Sequence, residues 1–268
     1  MAFCLCVGTA MAEKTAPYFM NQSERLPLPS LKALTRLRFV TTVDFPPFNH
    51  VNAQGQLSGY NIDLVKALCE QLNLSQICQI EAVPWNELEQ HLRAGNAEAI
   101  IAGLMPTPDN REEFTFSRSY MRFPARFVTR IGQDFDQPAS EATRGKAIGV
   151  VWDTAHEHLL KSYFPEAAAT LYPDRETMLG DLMRGKLAAV FDDGAFLASW
   201  LDTPEGANCC TFTDGPYLAP QFLGQGMSIA VHNRNAALAD AFNNALQALE
   251  KKGVMDELYL RHFPVSFY

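Results

Sequence analysis

The stretch Leu88-Glu-Gln-His-Leu92-Arg-Ala-Gly95-Asn-Ala-Glu-Ala99-Ile100 decides the fold. Two leucines four apart mark a helix face, Gly95 caps the helix, and the apolar run Ala97–Gly103 reads as a strand buried on both faces. The pattern returns as Met178-Leu-Gly-Asp-Leu182-Met-Arg-Gly185-Lys-Leu-Ala-Ala189-Val190. A helix, a glycine and a buried strand, used twice, predict two similar α/β lobes. Working outward, Leu37–Val43 is rich in β-branched and aromatic residues and predicts a strand. Asp44-Phe-Pro-Pro-Phe48 breaks it, since two prolines cannot continue a ladder. Ile62, Val65, Leu68 and Leu72 form a helical stripe, Cys78–Val83 predicts a strand, and Trp85–Arg93 a helix. Met227–His232 predicts a strand, and two helices follow, Ala236 to about Lys252 and Val254–His262, split by Gly253. Strands alternating with helices imply mainly parallel sheets. Ligands bind such sheets outside the carboxyl ends of the strands. Those ends are Thr41–Phe45, Ala102–Met105, Val151–Thr154 and Phe191–Asp193, and two such edges face to face make a cleft.

Composition removes other classes. Of 268 residues, 22 are Lys or Arg and 30 are Asp or Glu, for a net charge of −8. An acidic chain without a basic run argues against a nucleic-acid partner and against a polybasic membrane contact. No apolar run reaches the ~18 residues of a spanning helix. Residues 1–12 are uncharged and end in Ala10-Met11-Ala12, which reads as the end of a secretory signal peptide. The mature chain is then expected to begin at Glu13, in an oxidising compartment. Residues 13–34, polar and carrying Pro17, Pro27 and Pro29, read as an N-terminal arm. An even count of remaining cysteines suggests bridges. Cys69 falls late in a helix and Cys78 opens the next strand, with enough chain between them to turn back. Cys209 and Cys210 either bridge each other or stay as thiols. His156-x-His158 diverges on a helix, and no metal or cofactor is expected. No G-x-S-x-G elbow occurs.

The order of motifs resembles the extracytoplasmic solute-binding proteins of polar amino acid ABC transporters, bacterial family 3. Asp44-Phe-Pro-Pro-Phe48 is similar to the family's aromatic-Pro-Pro-Phe loop. Gly59-Tyr-Asn-Ile-Asp-Leu64 is similar to its glycine-aromatic-acid signature. Trp85-x2-Leu88-x3-Leu92-x2-Gly95, Phe116-Ser117-x2-Tyr120, Ile148-Gly-Val150, Asp193 and Gly226-Met-Ser-Ile-Ala-Val231 follow in order. The resemblance spans about residues 35–263. It implies a two-lobed (type II) periplasmic binding-protein fold, each lobe a mainly parallel sheet flanked by helices, joined by a two-strand hinge. The implied boundaries are 35–121 with 227–268 for lobe 1, 126–222 for lobe 2, and 122–125 with 223–226 for the hinge. A Cys69–Cys78 disulfide is implied as well.

The resemblance also implies the ligand groups. The family binds an amino acid between aromatic rings, an arginine fork, a helix N-terminus and an aspartate. Phe45 and Trp85 match the aromatic positions, Gly103 the backbone contact, Thr154 the helix-end hydroxyl and Asp193 the ammonium acceptor. Asp153 replaces a usual glycine, and Met105 stands where a hydroxyl residue is usual. The family's T-x-x-R is here Thr107-Pro-Asp-Asn-Arg111, so counting back from Phe116 lands on Asn110. Either Arg111 is the anion clamp, or it faces out and Asn110 lines the cleft. The implied function is capture of a small polar ligand, an amino acid or related amine or carboxylate, for a membrane permease. The protein is expected to be a periplasmic monomer and not an enzyme. The alternatives are a periplasmic enzyme of the cyclohexadienyl dehydratase type on the same fold, or an auxiliary sensory module. Arg122 and Arg126 are weighed as cleft-mouth cations against a solvated strand face.

Overall fold

The computed structural model describes residue 17 and residues 19–268. The expected signal sequence and its cleavage site lie outside the described residues. The chain builds β1 (Leu37–Thr41), the small strands β2 (Asp44–Phe45), β3 (Asn49–Val51) and β4 (Leu57–Ser58), then α1 (Tyr60–Gln71), β5 (Cys78–Ala82), α2 (Leu88–Ala94), β6 (Ala99–Ile100) and β7 (Phe114–Phe116). It crosses to a second sheet for β8 (Ala125–Arg130), α3 (Ala139–Ala142), β9 (Ala147–Val151), α4 (Ala155–Tyr163), β10 (Ala168–Tyr172) and α5 (Arg175–Met183). That lobe continues with β11 (Ala189–Asp193), α6 (Gly194–Leu201), α7 (Pro204–Cys209), β12 (Cys210–Tyr217) and α8 (Pro220–Leu223). The chain then returns to lobe 1 for β13 (Ala230–His232), α9 (Ala236–Lys251) and α10 (Val254–His262).

The sheet of lobe 1 runs β5-β1-β6-β13-β7, and that of lobe 2 runs β10-β9-β11-β8-β12. Three strands are parallel in each: β5, β1 and β6 in one, β10, β9 and β11 in the other. In each sheet the strands next to the crossings are antiparallel. The molecule is thus a two-lobed α/β protein.

The repeat in the sequence is a repeat in the structure. Gly95 caps α2 at φ 71, Gly185 follows α5 at φ 74, and Ala99, Ile100, Ala189 and Val190 are fully buried. Two expectations shorten. Trp85–Glu87 is a single 3₁₀ turn ahead of α2. The strand expected over Ala97–Gly103 is a ladder only at β6, because Gly103 turns the chain away at φ +84.

Packing explains the rest. Ile62, Leu64, Val65 and Leu68 of α1 are buried. Gly59 ahead of them is a glycine by necessity, since a Cβ would lie 2.4 Å from the Phe48 carbonyl oxygen. Cys69 and Cys78 form a disulfide between the end of α1 and the start of β5, and Cys209 and Cys210 are bonded to each other. The polar arm is docked on lobe 1. Met20 enters the core, and Gln247 Nε2 donates to the carbonyls of Asn21 (2.7 Å) and Glu24 (2.9 Å). Neither Arg122 nor Arg126 is a cleft-mouth cation. The Arg122 guanidinium lies over the Phe19 ring, and buried Arg126 donates to the carbonyls of Asp214 and Phe267. Among the described residues no helix is long and apolar enough to cross a membrane.

Candidate functional site

The lobe 1 half is built on a buried amide network. Tyr120 donates to Asn61, Asn61 to Asn49, and Asn49 to the Thr42 hydroxyl, each at 2.8–2.9 Å. These bonds fix the turn that carries Phe45. The Phe45 ring stacks on Phe48 at 4.8 Å between centroids. Gly103 lies beneath it, where a Cβ would meet Phe45 Cε1 at 3.0 Å. Positive φ and the overlying ring both require glycine here. Phe45, Trp85 and Gly103 line one open depression of about 520 Å³ with Thr42, Asp44 and Ala102. The sequence places these three together, and the structure does so too.

Met105 and Arg111 lie outside that depression. Met105 is exposed and approaches Gly224 at the second crossing. Asn110 is pinned into its own loop: its Oδ1 accepts from the Thr107 N–H (2.8 Å) and its Nδ2 donates to the Met105 carbonyl (3.0 Å). Arg111 is exposed, with its guanidinium 5.7 Å from the Phe116 ring centroid. Among the described residues it forms no ion pair.

In lobe 2, Thr154 is the N-cap of α4. Its hydroxyl accepts from the Glu157 N–H and donates to the Val151 carbonyl at 2.7 Å. Asp153 sits at φ 57, a left-handed conformation that glycine takes freely and Asp tolerates. Its N–H is taken by Glu157 Oε2 at 2.6 Å. That donor is therefore already spent within lobe 2. Asp193 is the N-cap of α6, accepting from the Phe196 N–H at 2.7 Å. Burial pushes its carboxyl up, against the pull of that N–H and of His156.

Asp192 beside it alternates to the other face and is buried. It receives a bidentate pair from Arg175 (2.7 and 3.0 Å) and also accepts the Asp193 N–H (2.7 Å). Arg175 packs on the Phe196 ring at 4.0 Å. His156 approaches Asp192 at 3.5 Å, and burial lowers its pKa. The His156-x-His158 spacing gave no hint of this acid cluster. Among the described residues no group of three or more His, Cys, Asp or Glu side chains is placed to hold a metal ion.

Comparison with known proteins fits this geometry. The sequence profile of the bacterial extracellular solute-binding proteins, family 3, matches residues 37–265. The chain is 29% identical to the ABC transporter arginine-binding protein 1 of Escherichia coli (strain K12), over 87% of this chain and 92% of that protein. It is 27% identical to the L-arginine-binding protein of Pseudomonas aeruginosa, over 91% of this chain and 93% of that protein. Its fold is shared with the L-cystine solute receptor of Neisseria gonorrhoeae in its unliganded open conformation. That likeness has a TM-score of 0.71 at 17% identity, over 87% of this chain and 94% of that chain.

Proposed function

The chain belongs to the bacterial extracellular solute-binding proteins, family 3, and from that footing we propose that it captures an amino acid with a cationic side chain for an ABC permease. The reading places Asp193 on the α-ammonium, with Phe45 and Trp85 covering the side chain. Gly103 and the α4 N-terminus at Thr154 offer backbone donors to the carboxylate, and Arg111 is the clamp that swings onto it. A guanidinium forks onto a carboxylate bidentately, and rings favour a stacked cation. Met105 edges the same cleft. Residues 122–125 and 223–226 act as the hinge about which residues 126–222 close. The protein works as a periplasmic monomer after removal of residues 1–12.

The observation that carries this reading is the half-buried Asp193 carboxylate at the end of β11, with one oxygen committed to α6. The arginine-binding relatives name the probe, and acidic Asp44, Asp153 and Asp193 suit a cation. Thermal-shift screening with amino acids tests it, followed by calorimetry. L-Arginine is expected to raise the melting temperature and to bind with a single site. A protein stabilised by no amino acid, yet converting prephenate, would overturn the reading in favour of an enzyme.

A further inference from the structure

Trp152 is the largest exposed apolar side chain of lobe 2 near the cleft, 57% accessible. Its backbone is nonetheless held firmly. The Trp152 N–H donates to the Tyr172 carbonyl at 3.0 Å, and the next two residues are fixed by Glu157 and by the Val151 carbonyl. An indole on a stiff turn at the carboxyl end of β9 is a presented surface.

The strand orders say what it is presented to. Counting away from the crossing strands, lobe 1 runs β6, β1, β5 and lobe 2 runs β11, β9, β10. In the first rank Gly103 follows β6 and Asp193 ends β11. In the second rank Val43 follows β1 and Trp152 follows β9. Trp85, after β5, lies one rank further out. Val43 and Trp85 are 45% and 53% accessible. Val43 and Trp152 are therefore exposed apolar groups at corresponding strand positions of the two lobes, beside the proposed ligand contacts Trp85 and Thr154.

We infer that Trp152 is the closing contact of the cleft: when the lobes shut, its indole packs on Val43 and Trp85 and seals the ligand behind it. This rests on the two-lobed capture reading above. The contact does not touch the reading's charged groups. It lengthens ligand residence by covering apolar surface that is wet in the open form.

Two measurements test it. The double variant Val43→Cys/Trp152→Cys is oxidised with diamide, beside a control pair, Val43→Cys/Tyr163→Cys. Tyr163 lies at the far end of α4, about 13 Å along the helix from the cleft edge. The first pair is expected to cross-link, faster with L-arginine, and the control pair is not. Absence of the cross-link overturns the inference whether or not L-arginine binds. A cross-link that L-arginine fails to accelerate keeps the contact and removes L-arginine as the ligand. In stopped-flow, Trp152→Ala should release L-arginine about tenfold faster, with association nearly unchanged and with the ligand-free melting temperature unmoved. Release at the wild-type rate would overturn the sealing role.

Discussion

At the ends of β1, β5 and β6, lobe 1 sets out the Phe45 ring, the Trp85 indole and the bare backbone of Gly103. At the ends of β9 and β11, lobe 2 sets out two helix N-termini and a polar cluster of the Arg175–Asp192 ion pair with His156 and Asp193. The rings of lobe 1 are positioned by neutral hydrogen bonds among Thr42, Asn49 and Asn61. The acids of lobe 2 are positioned by the ion pair of buried Asp192 with the partly exposed Arg175. The difference teaches a division of labour. A face of rings and backbone accepts many ligands shallowly, whereas a desolvated carboxylate discriminates by charge. On the capture reading, lobe 1 receives and lobe 2 selects.

The largest expected effect tests how each half is held. Asp192→Ala strips Arg175 of its carboxylate and leaves the Asp193 N–H unpaired. Because Arg175 is partly exposed, the loss should be about 2–3 kcal/mol. Asn49→Ala in lobe 1 removes neutral bonds only and should cost about 1–2 kcal/mol. Urea denaturation of both variants measures this. Equal losses would break the contrast between an ionic and a neutral scaffold.

Next comes selection itself. Asp193 is also the N-cap of α6, so alanine would confuse binding with stability. Asparagine caps about as well as aspartate and lacks the charge. Asp193→Asn should weaken L-arginine by about 10- to 100-fold, the worth of a charge-assisted bond, with a melting temperature close to wild type. Calorimetry decides it. Unchanged affinity would move selection out of lobe 2.

Arg111 sharpens the other side. If it swings from the Phe116 ring onto a ligand carboxylate, Arg111→Ala costs about tenfold in affinity. If lobe 1 contributes only rings and backbone, Arg111→Ala binds like wild type while Phe45→Ala loses about tenfold. Titrating both with L-arginine separates a lobe of rings from a lobe with its own charge.

How much of this was legible before the structure follows the same division. The doubled helix–glycine–strand pattern revealed both lobes because burial on both faces writes an unbroken apolar run, at Ala99-Ile100 and again at Ala189-Val190. Phe45, Trp85 and Gly103 were singled out only through the family resemblance, and the structure lines one depression with all three. The Arg175–Asp192 pair was not, since nothing local to either residue announces a partner 17 positions away on another element. Asn110 was ambiguous for a similar reason: only the folded loop shows its amide spent on Thr107 and Met105. The arm read as polar and proline-bearing, and its docking was hidden because the groups that hold it, Gln247 on α9 and the core around Met20, come from distant parts of the chain.

The smallest effect concerns a carboxyl that lobe 1 buries with no ion-pair partner among the described residues. Glu250 on α9 lies beneath the arm. Its Oε2 is buried and has no hydrogen-bond partner among the described residues. Burial raises its pKa from 4.5 to about 7, opposed by the Phe19 N–H. The folded form therefore holds this proton more tightly than the unfolded chain. Its contribution to stability is complete below about pH 4.5 and is lost as pH rises through about 7. Asp193 in lobe 2, raised by the same cause, adds a slope of the same sign, but that slope is common to wild type and Glu250→Gln. Between pH 5 and pH 8 the melting temperature of wild type should therefore fall about 2–4 °C more than that of Glu250→Gln. Calorimetric scans across that range measure the difference. Parallel curves would mean that Glu250 titrates as a solvated acid, and lobe 1 would then be as well compensated as lobe 2.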